Sequence, residues 1–479
     1  MSKWIWRGLI GLIVLYAVFM GISRHMYMDR LAHDLRFGSE TRKIKAAKEL
    51  MRRDRLYDKV QEMPKSARIE VMGAIEQMPG ELTIKQCLVL LKDTEADVRA
   101  RVSKTLTLLG QGHIELLVPA MKDSDENVRN GAKDALVAIG PRVIRYVQRA
   151  TGEPELRGAA FEVLVRIGKP SVPALIGLLQ SDDQDVRMAA ADSLGKIGSK
   201  NATPALLKAT RDVAAVRRVA ISSICTICDS RSADLLVEVL SHTRDDGEVR
   251  ARAARALSVI GGPKSIVALT GALGDWDLKV RTSVITGLQT MGAPAVKQVM
   301  AAISVGSREV RRAGATVLEK INSPEAVPAL LQLARDGDPA ARASAARGFG
   351  AQSSGVRPDV LISLLGDADG RAADAALDSL VRLSSRPGDA VVVTSLASVL
   401  QSSASDVVKY RAANALVRIG TKAVDSLLAV LNAGGDAAKF AAYALGRTGD
   451  PRAKAALEKF VAASDPDLAW IAKRALARM

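Results

Sequence analysis

The sequence predicts an all-α chain, an α-solenoid of about 15 helical hairpins preceded by one N-terminal transmembrane helix. Three observations predict it. A two-residue signature returns about every 30 residues, aromatics make up only 3% of the chain, and an uncharged apolar stretch stands near its start. At 479 residues the chain outgrows an ordinary single core, so it must divide into domains or repeat. Composition favours repetition. A globular core draws much of its buried area from large rings, whereas stacked helices of Ala, Leu, Val and Ile do not need them.

Gly8 to Ser23 carries no charge and spans about 24 Å as a helix. Extending it back to Trp4 gives about 30 Å, the thickness of a bilayer core. Trp4 and Trp6 would mark one interface and Tyr16, Phe19 and Tyr27 the other. No small-residue cleavage site follows, so the expectation is an uncleaved anchor over residues 4–23, with a polar stalk over 24–40. The protein would then be a single-pass cell-membrane protein. Its short basic tail (Lys3, Arg7) places the body on the extracytoplasmic side; the basic residues after the apolar run make a cytoplasmic body the alternative.

The repeat occupies residues 41–479. Taking Val98-Arg99 as origin, the signature returns at Val128-Arg129, Leu156-Arg157, Val186-Arg187, Val216-Arg217, Val249-Arg250, Val280-Arg281, Val310-Arg311 and Ala341-Arg342. Upstream, Arg68 fits the register and Lys43 does so more weakly; downstream, Ala373, Lys409, Ala438 and Ala469 keep it without the arginine. Counting from the arginine, +3 is small (Ala190, Ala253, Ala345), +7 is Leu (Leu194, Leu257, Leu318) and +10 is often Ile (Ile197, Ile260, Ile321). With the residue before the arginine, this apolar set steps by 4, 4 and 3, one stripe of an α-helix. At +11 stands Gly110, Gly140, Gly168, Gly198, Gly261, Gly292, Gly420 or Gly449, a helix stop that wants a left-handed backbone; Asn322 replaces it once. A second helix follows, with proline near its start at Pro173, Pro204, Pro263, Pro294 and Pro328. Acid pairs such as Asp182 and Asp183, Asp275 and Asp277, or Asp336 and Asp338 precede the next Val-Arg helix and suit its N-cap and dipole. A lone hairpin cannot bury its apolar faces, but stacking does so. The unit starting near Ala373 is stretched by a loop at 384–389, and a change of curvature near 350–390 is expected there.

The run Ser181-Asp182-Asp183-Gln184-Asp185-Val186-Arg187-Met188-Ala189-Ala190-Ala191-Asp192-Ser193-Leu194-Gly195-Lys196-Ile197-Gly198 resembles the HEAT repeat. More narrowly, it is similar to the short HEAT-like repeats of phycobiliprotein lyase subunits. That resemblance implies a ladder in which repeated Asp and Arg bond successive turns, and a concave face lined by Val-Arg helices. It assigns ladder roles to Arg99, Arg129, Arg157, Arg187, Arg217, Arg250, Arg281, Arg311 and Arg342. Where the arginine is missing, the ladder is in question.

Chemistry is sparse. Cys225-Thr226-Ile227-Cys228 forms a CxxC, but Cys228 stands at the glycine position and no second pair or nearby histidine completes a site. These cysteines read as small helical residues. No histidine precedes a glutamate, which excludes the His-Glu pairs of the HEAT-like deoxyhypusine hydroxylases. No catalytic, metal or cofactor residue is assigned, and no cofactor is expected. The net charge of +16 points to nucleic acid, anionic lipid or acidic protein as partner. Arg218, Arg252, Arg255, Arg312 and Arg347 lie on Val-Arg helices outside the ladder position and are the candidate partner-binding residues. The expected function is a membrane-anchored scaffold binding protein partners along the concave face. A lyase-like enzyme subunit is the alternative, and a basic groove for anionic ligands or nucleic acid the second. Scarce aromatics disfavour nucleic acid, and a small-molecule ligand is not expected.

Overall fold

Alanine-rich stripes closed by glycine form helices throughout. The computed structural model describes residues 2–242, 246–353, 357–386 and 390–479, with side chains described at residue 10 and from residue 12 onward. Among the described residues there are 30 α-helices and no strand. The first helix is Ser2–Phe37. Fifteen helices then carry the Val-Arg register, from Glu40–Arg52 to Pro466–Leu476, and 14 second helices alternate with them. The chain divides into two compact units, Met1–Ile227 and Cys228–Met479.

Each unit is built in two layers. Val-Arg helices pack on their successors, as Gln184–Ile197 does on Ala214–Ile227, and Arg308–Glu319 on Pro339–Ala351. Second helices form the other layer, as Ala233–Ser241 does on Gly262–Gly271. The +3 alanines Ala190, Ala253, Ala345 and Ala441 and the +7 leucines Leu194, Leu257, Leu318 and Leu445 are fully buried. Removing such apolar area from water drives the stacking, at about 25 cal/mol per Å².

The turns follow from their residues. Gly140, Gly168, Gly198, Gly261, Gly292, Gly420 and Gly449 all hold positive φ. Cys228, at the same register position, also does so at φ 51°, which fits its reading as a glycine substitute. Gly110 departs from the expectation at φ −70°; glycine there serves close packing instead, since an added Cβ would lie 2.7 Å from Leu117 Cδ1. Asn322 departs as well: its φ is not positive, and its Oδ1 instead accepts from Ser353 N at 2.9 Å. The second acid of each pair caps the next helix. Asp125 accepts from Asn127 N and Val128 N, Asp183 from Asp185 N and Val186 N, and Asp338 from Ala340 N.

The N-terminal segment corrects a prediction. Among the described residues, no helix is long and apolar enough to cross a membrane. The expected anchor over residues 4–23, the membrane contact and the single-pass location are therefore withdrawn. The physical reason is length: the uncharged run stops at Ser23, about 24 Å from its start, and Arg24, Asp29, Arg30, Asp34 and Arg36 continue the same helix. Its far end packs on Glu40–Arg52, with Leu31 and Leu35 buried. The side chains of Lys3, Trp4, Trp6 and Arg7, on which the interface and orientation readings rested, lie outside the described residues, as do 354–356 and 387–389 within the expected curvature change.

Candidate binding surface

The first acid of each pair meets the register arginine of the unit before it. Arg68, Arg187, Arg250, Arg311 and Arg342 reach Asp93, Asp212, Asp275, Asp336 and Asp367, each 25 residues on, at 2.9, 2.7, 3.0, 2.6 and 2.6 Å. Arg157 reaches Asp183 instead. The same aspartates also receive the next arginine on their backbone carbonyls: Arg281 on Asp275 O at 2.6 Å and Arg342 on Asp336 O at 2.8 Å. Their Oδ1 atoms accept an N–H two residues on, as at Asp277 and Asp338. One loop thus ties two repeats together. Arg99 and Arg129 bond only loop carbonyls among the described residues. Arg281 finds no acid 25 residues on, because Gly306 stands there. Arg217 is half-buried on Ala214–Ile227. The Arg342 guanidinium lowers the Asp367 carboxyl below its ordinary value, and Asp367 raises Arg342. Charge-assisted, bidentate contacts of this kind are the strong class of hydrogen bond.

At Ala438 a neighbouring lysine replaces the missing arginine. Lys439, one place after Ala438, pairs with Asp465 at 2.9 Å and is raised mainly by it.

The solvent-facing stripe of a Val-Arg helix holds positions near +1, +5 and +9. Arg218 and Arg312 stand at +1, Arg255 and Arg347 at +5, and Arg252 at +2. Arg218 is exposed. The other four already touch acids: Arg252 and Arg255 share Glu248 at 3.3 Å each, Arg312 binds Asp338 at 2.7 Å, and Arg347 binds Glu319 at 2.8 Å. Asp338 is almost fully buried; Arg312, with Arg308 behind it, holds its carboxyl down at about 2.

The same stripe holds residues that charge alone does not point to. On Asp406–Ile419, Gly435–Thr448 and Pro466–Leu476 it carries Tyr410, Tyr443, Arg447, Trp470 and Arg474, which with Arg478, in the turn just past the last helix, line a groove of 330 Å³. Tyr410 and Tyr443 stack at 5.3 Å, and the Tyr443 hydroxyl donates towards Asn414 Oδ1 at 3.0 Å or Tyr410 at 3.2 Å. Arg447 lies 5.7 Å from the Tyr443 ring centre and Arg474 5.0 Å from that of Trp470. The missed signal was in the register: scarce rings recurring at +1 and +5 of consecutive units.

The two-layered stack of glycine-stopped hairpins, with an arginine–aspartate ladder in its loops, defines an α-solenoid. A family model for HEAT repeats matches residues 145–215, 213–289, 296–381 and 393–477, more than half of the chain. The chain belongs to the HEAT-repeat family. Among solved structures it is similar to Kap121p bound to Nup53p, with 12% identity, a TM-score of 0.50, and coverage of 95% of this chain and 57% of that one. The karyopherin Kap121p bound to the extreme C-terminus of the protein phosphatase Cdc14p gives 12%, 0.50, 96% and 57%. Kap121p bound to Pho4p gives 12%, 0.50, 93% and 56%. The chain spans just over half the length of these structures, and at such identity the likeness concerns the fold. No curated protein matches the sequence. The comparisons do not show the narrower likeness to phycobiliprotein lyase subunits.

Proposed function

We propose that this chain is a scaffold that binds protein partners along the exposed stripe of its Val-Arg helices. The observation that carries this reading is the stripe itself. Positions +1, +5 and +9 recur on helix after helix and, among the described residues, mostly lie outside the buried core, Ala251 and Ala343 excepted, so most of their side chains are presented for recognition. In the same reading, Arg99, Arg129, Arg157, Arg187, Arg217, Arg250, Arg281, Arg311 and Arg342 hold the stack together. Arg218, Arg252, Arg255, Arg312 and Arg347 face the partner, whose carboxylates would compete with Glu248, Asp338 and Glu319. Kap121p, of similar fold, is seen bound to Nup53p, to Pho4p and to the Cdc14p C-terminus, which supports a protein partner here.

A photo-crosslinking residue placed at Arg218 or Thr286, on the stripe, and at Lys264, on a second helix, tests it. Stripe positions should capture the same protein species from cell extract and Lys264 should not. Equal capture from both layers, or none from the stripe, defeats the proposal. A chromophore or metal retained through purification would favour the lyase-like alternative. Salt-sensitive DNA binding would favour a nucleic-acid groove.

A further inference from the structure

We infer that the groove of Tyr410, Tyr443, Arg447, Trp470, Arg474 and Arg478 is a docking site for an extended acidic protein segment with an aromatic or aliphatic anchor between its carboxylates. This inference deepens the scaffold reading and rests on it.

The cations of the groove are unspent. Arg447, Arg474 and Arg478 have no carboxylate partner among the described residues, whereas Arg252, Arg255, Arg312 and Arg347 do. Cations in a last helical turn are favoured by the dipole alone, so Arg447 and Arg474 need no ligand to explain their presence. The dipole does not account for an aromatic ring beside each of them. A guanidinium within about 6 Å of a ring centre gains from cation–π attraction. The ring also holds its plane, and a held plane suits bidentate contact with a carboxylate.

Their spacing suits an extended chain. Arg474 stands in the last turn of Pro466–Leu476 and Arg478 in the turn that follows it, four residues on, where i,i+4 neighbours on a helix would be about 6 Å apart, and neighbouring packed helices lie about 8–10 Å apart. Carboxylates two residues apart on an extended strand are about 7 Å apart. An alternating acidic segment therefore matches the guanidinium spacing, and the residue between its acids points the other way. Beneath it the floor is apolar and shallow: Gly446 lets Ala475 approach so closely that an added Cβ would lie 2.5 Å from Ala475 Cα. At 330 Å³ the groove is at the small end of ligand-sized clefts, roughly 300–1,000 Å³, which suits an anchoring side chain rather than a whole cofactor.

Rings and arginines also suit a nucleic-acid strand. The opposite edge argues for a protein segment. Asp436 and Asp467, in the first turns of the same helices, are exposed beside Lys439 and would repel a continuous phosphate backbone. A peptide can confine its acids to the basic edge.

The test is a displayed library of short random peptides selected on the full chain and counter-selected on the R447Q/R474Q/R478Q variant. The three arginines are exposed or at the groove rim, so the variant should keep its helical signal and melting temperature. If it does not, the single variants R447Q and R478Q serve instead. Enriched peptides should carry two or more acids around an aromatic or aliphatic residue, bind at least roughly tenfold more weakly to the variant, and weaken with salt. Enrichment without acids, or equal binding to the variant, overturns the inference. So does an oligothymidine strand that displaces the selected peptides at lower concentration than they themselves bind. If the groove fails while Arg218 and Thr286 still crosslink a partner, the scaffold reading stands without it.

Discussion

The repeats around Arg311 and Arg342 and those around Lys409, Ala438 and Ala469 share one backbone plan but use their cations differently. In the first set the arginine stands at the register position, points into the loop layer and meets an aspartate 25 residues on. In the second the register position is Lys or Ala; Arg411 at +2 still bonds the Leu365 and Asp367 carbonyls and Arg418 at +9 pairs with Asp378, but Arg447, Arg474 and Arg478, at +5 and +9, stand on the open stripe in a groove lined by rings. A shift of a few residues along one helix thus turns a cation from a tie between repeats into a free surface group. Net charge counts both alike, which is why +16 says little about binding until each arginine is placed.

The comparison can be broken most sharply by deletion. Arg342→Ala strands Asp367, a nearly buried carboxylate, and frees the Asp336 carbonyl; it should cost about 3 kcal/mol. Arg474→Ala removes an exposed group and should cost under about 0.5 kcal/mol. Hydrogen exchange resolved by repeat is the suitable measurement, because long arrays need not unfold in one step. Equal losses at the two sites would erase the distinction.

A second expectation concerns packing in the last repeats. Gly446→Ala places a methyl against Ala475 and should loosen the Pro466–Leu476 helix by about 1–3 kcal/mol. Protection of amides 466–476 should fall while that of the Arg308–Glu319 helix is unchanged.

Acid separates the regions more gently. Asp338 is held at about 2, against 3.8 for an ordinary aspartate, chiefly by Arg312. A lowered carboxyl contributes stability above the unfolded value and loses it as pH falls towards the folded one. The Arg308–Ala351 region should therefore weaken from about pH 4 down to about pH 2, and Asp338→Asn should reduce that dependence, leaving the part due to the lowered Glu309 carboxyl. Amide exchange from pH 5 to pH 2 tests both, and a flat profile for the unsubstituted chain contradicts the assignment.

A small effect on stability is expected at the rings. Tyr443→Phe removes the hydroxyl contacts to Tyr410 and Asn414 and should cost about 1 kcal/mol or less. Its larger consequence should be in peptide affinity, through a less constrained Tyr410.

Much of the architecture was legible in sequence because helix period, glycine stops and acid caps are local. Val186, Ala190, Leu194 and Gly198 announce a helix and its end without reference to anything distant, and Asp183 caps that helix as its position requires. The N-terminal helix was also legible, but crossing a membrane depends on apolar length measured against a bilayer, and that requirement is not met among the described residues. The candidate site was legible only in part. Arg218, Arg252, Arg255, Arg312 and Arg347 were found by charge, yet four of them spend that charge on neighbours up to 28 residues away.

The sequence by itself determined the repeat, its helical register, its turn residues and the arginines that could form a ladder, since each depends on contacts within one or two turns of chain. Only the tertiary structure decided which arginine meets which aspartate 25 residues on, that Lys439 takes over from a missing arginine, and that Tyr410, Tyr443 and Trp470 share one groove. Those outcomes depend on how far one repeat is displaced against the next, a distance set by packing small residues such as Gly446 and Ala475 and not written in any single stretch of chain.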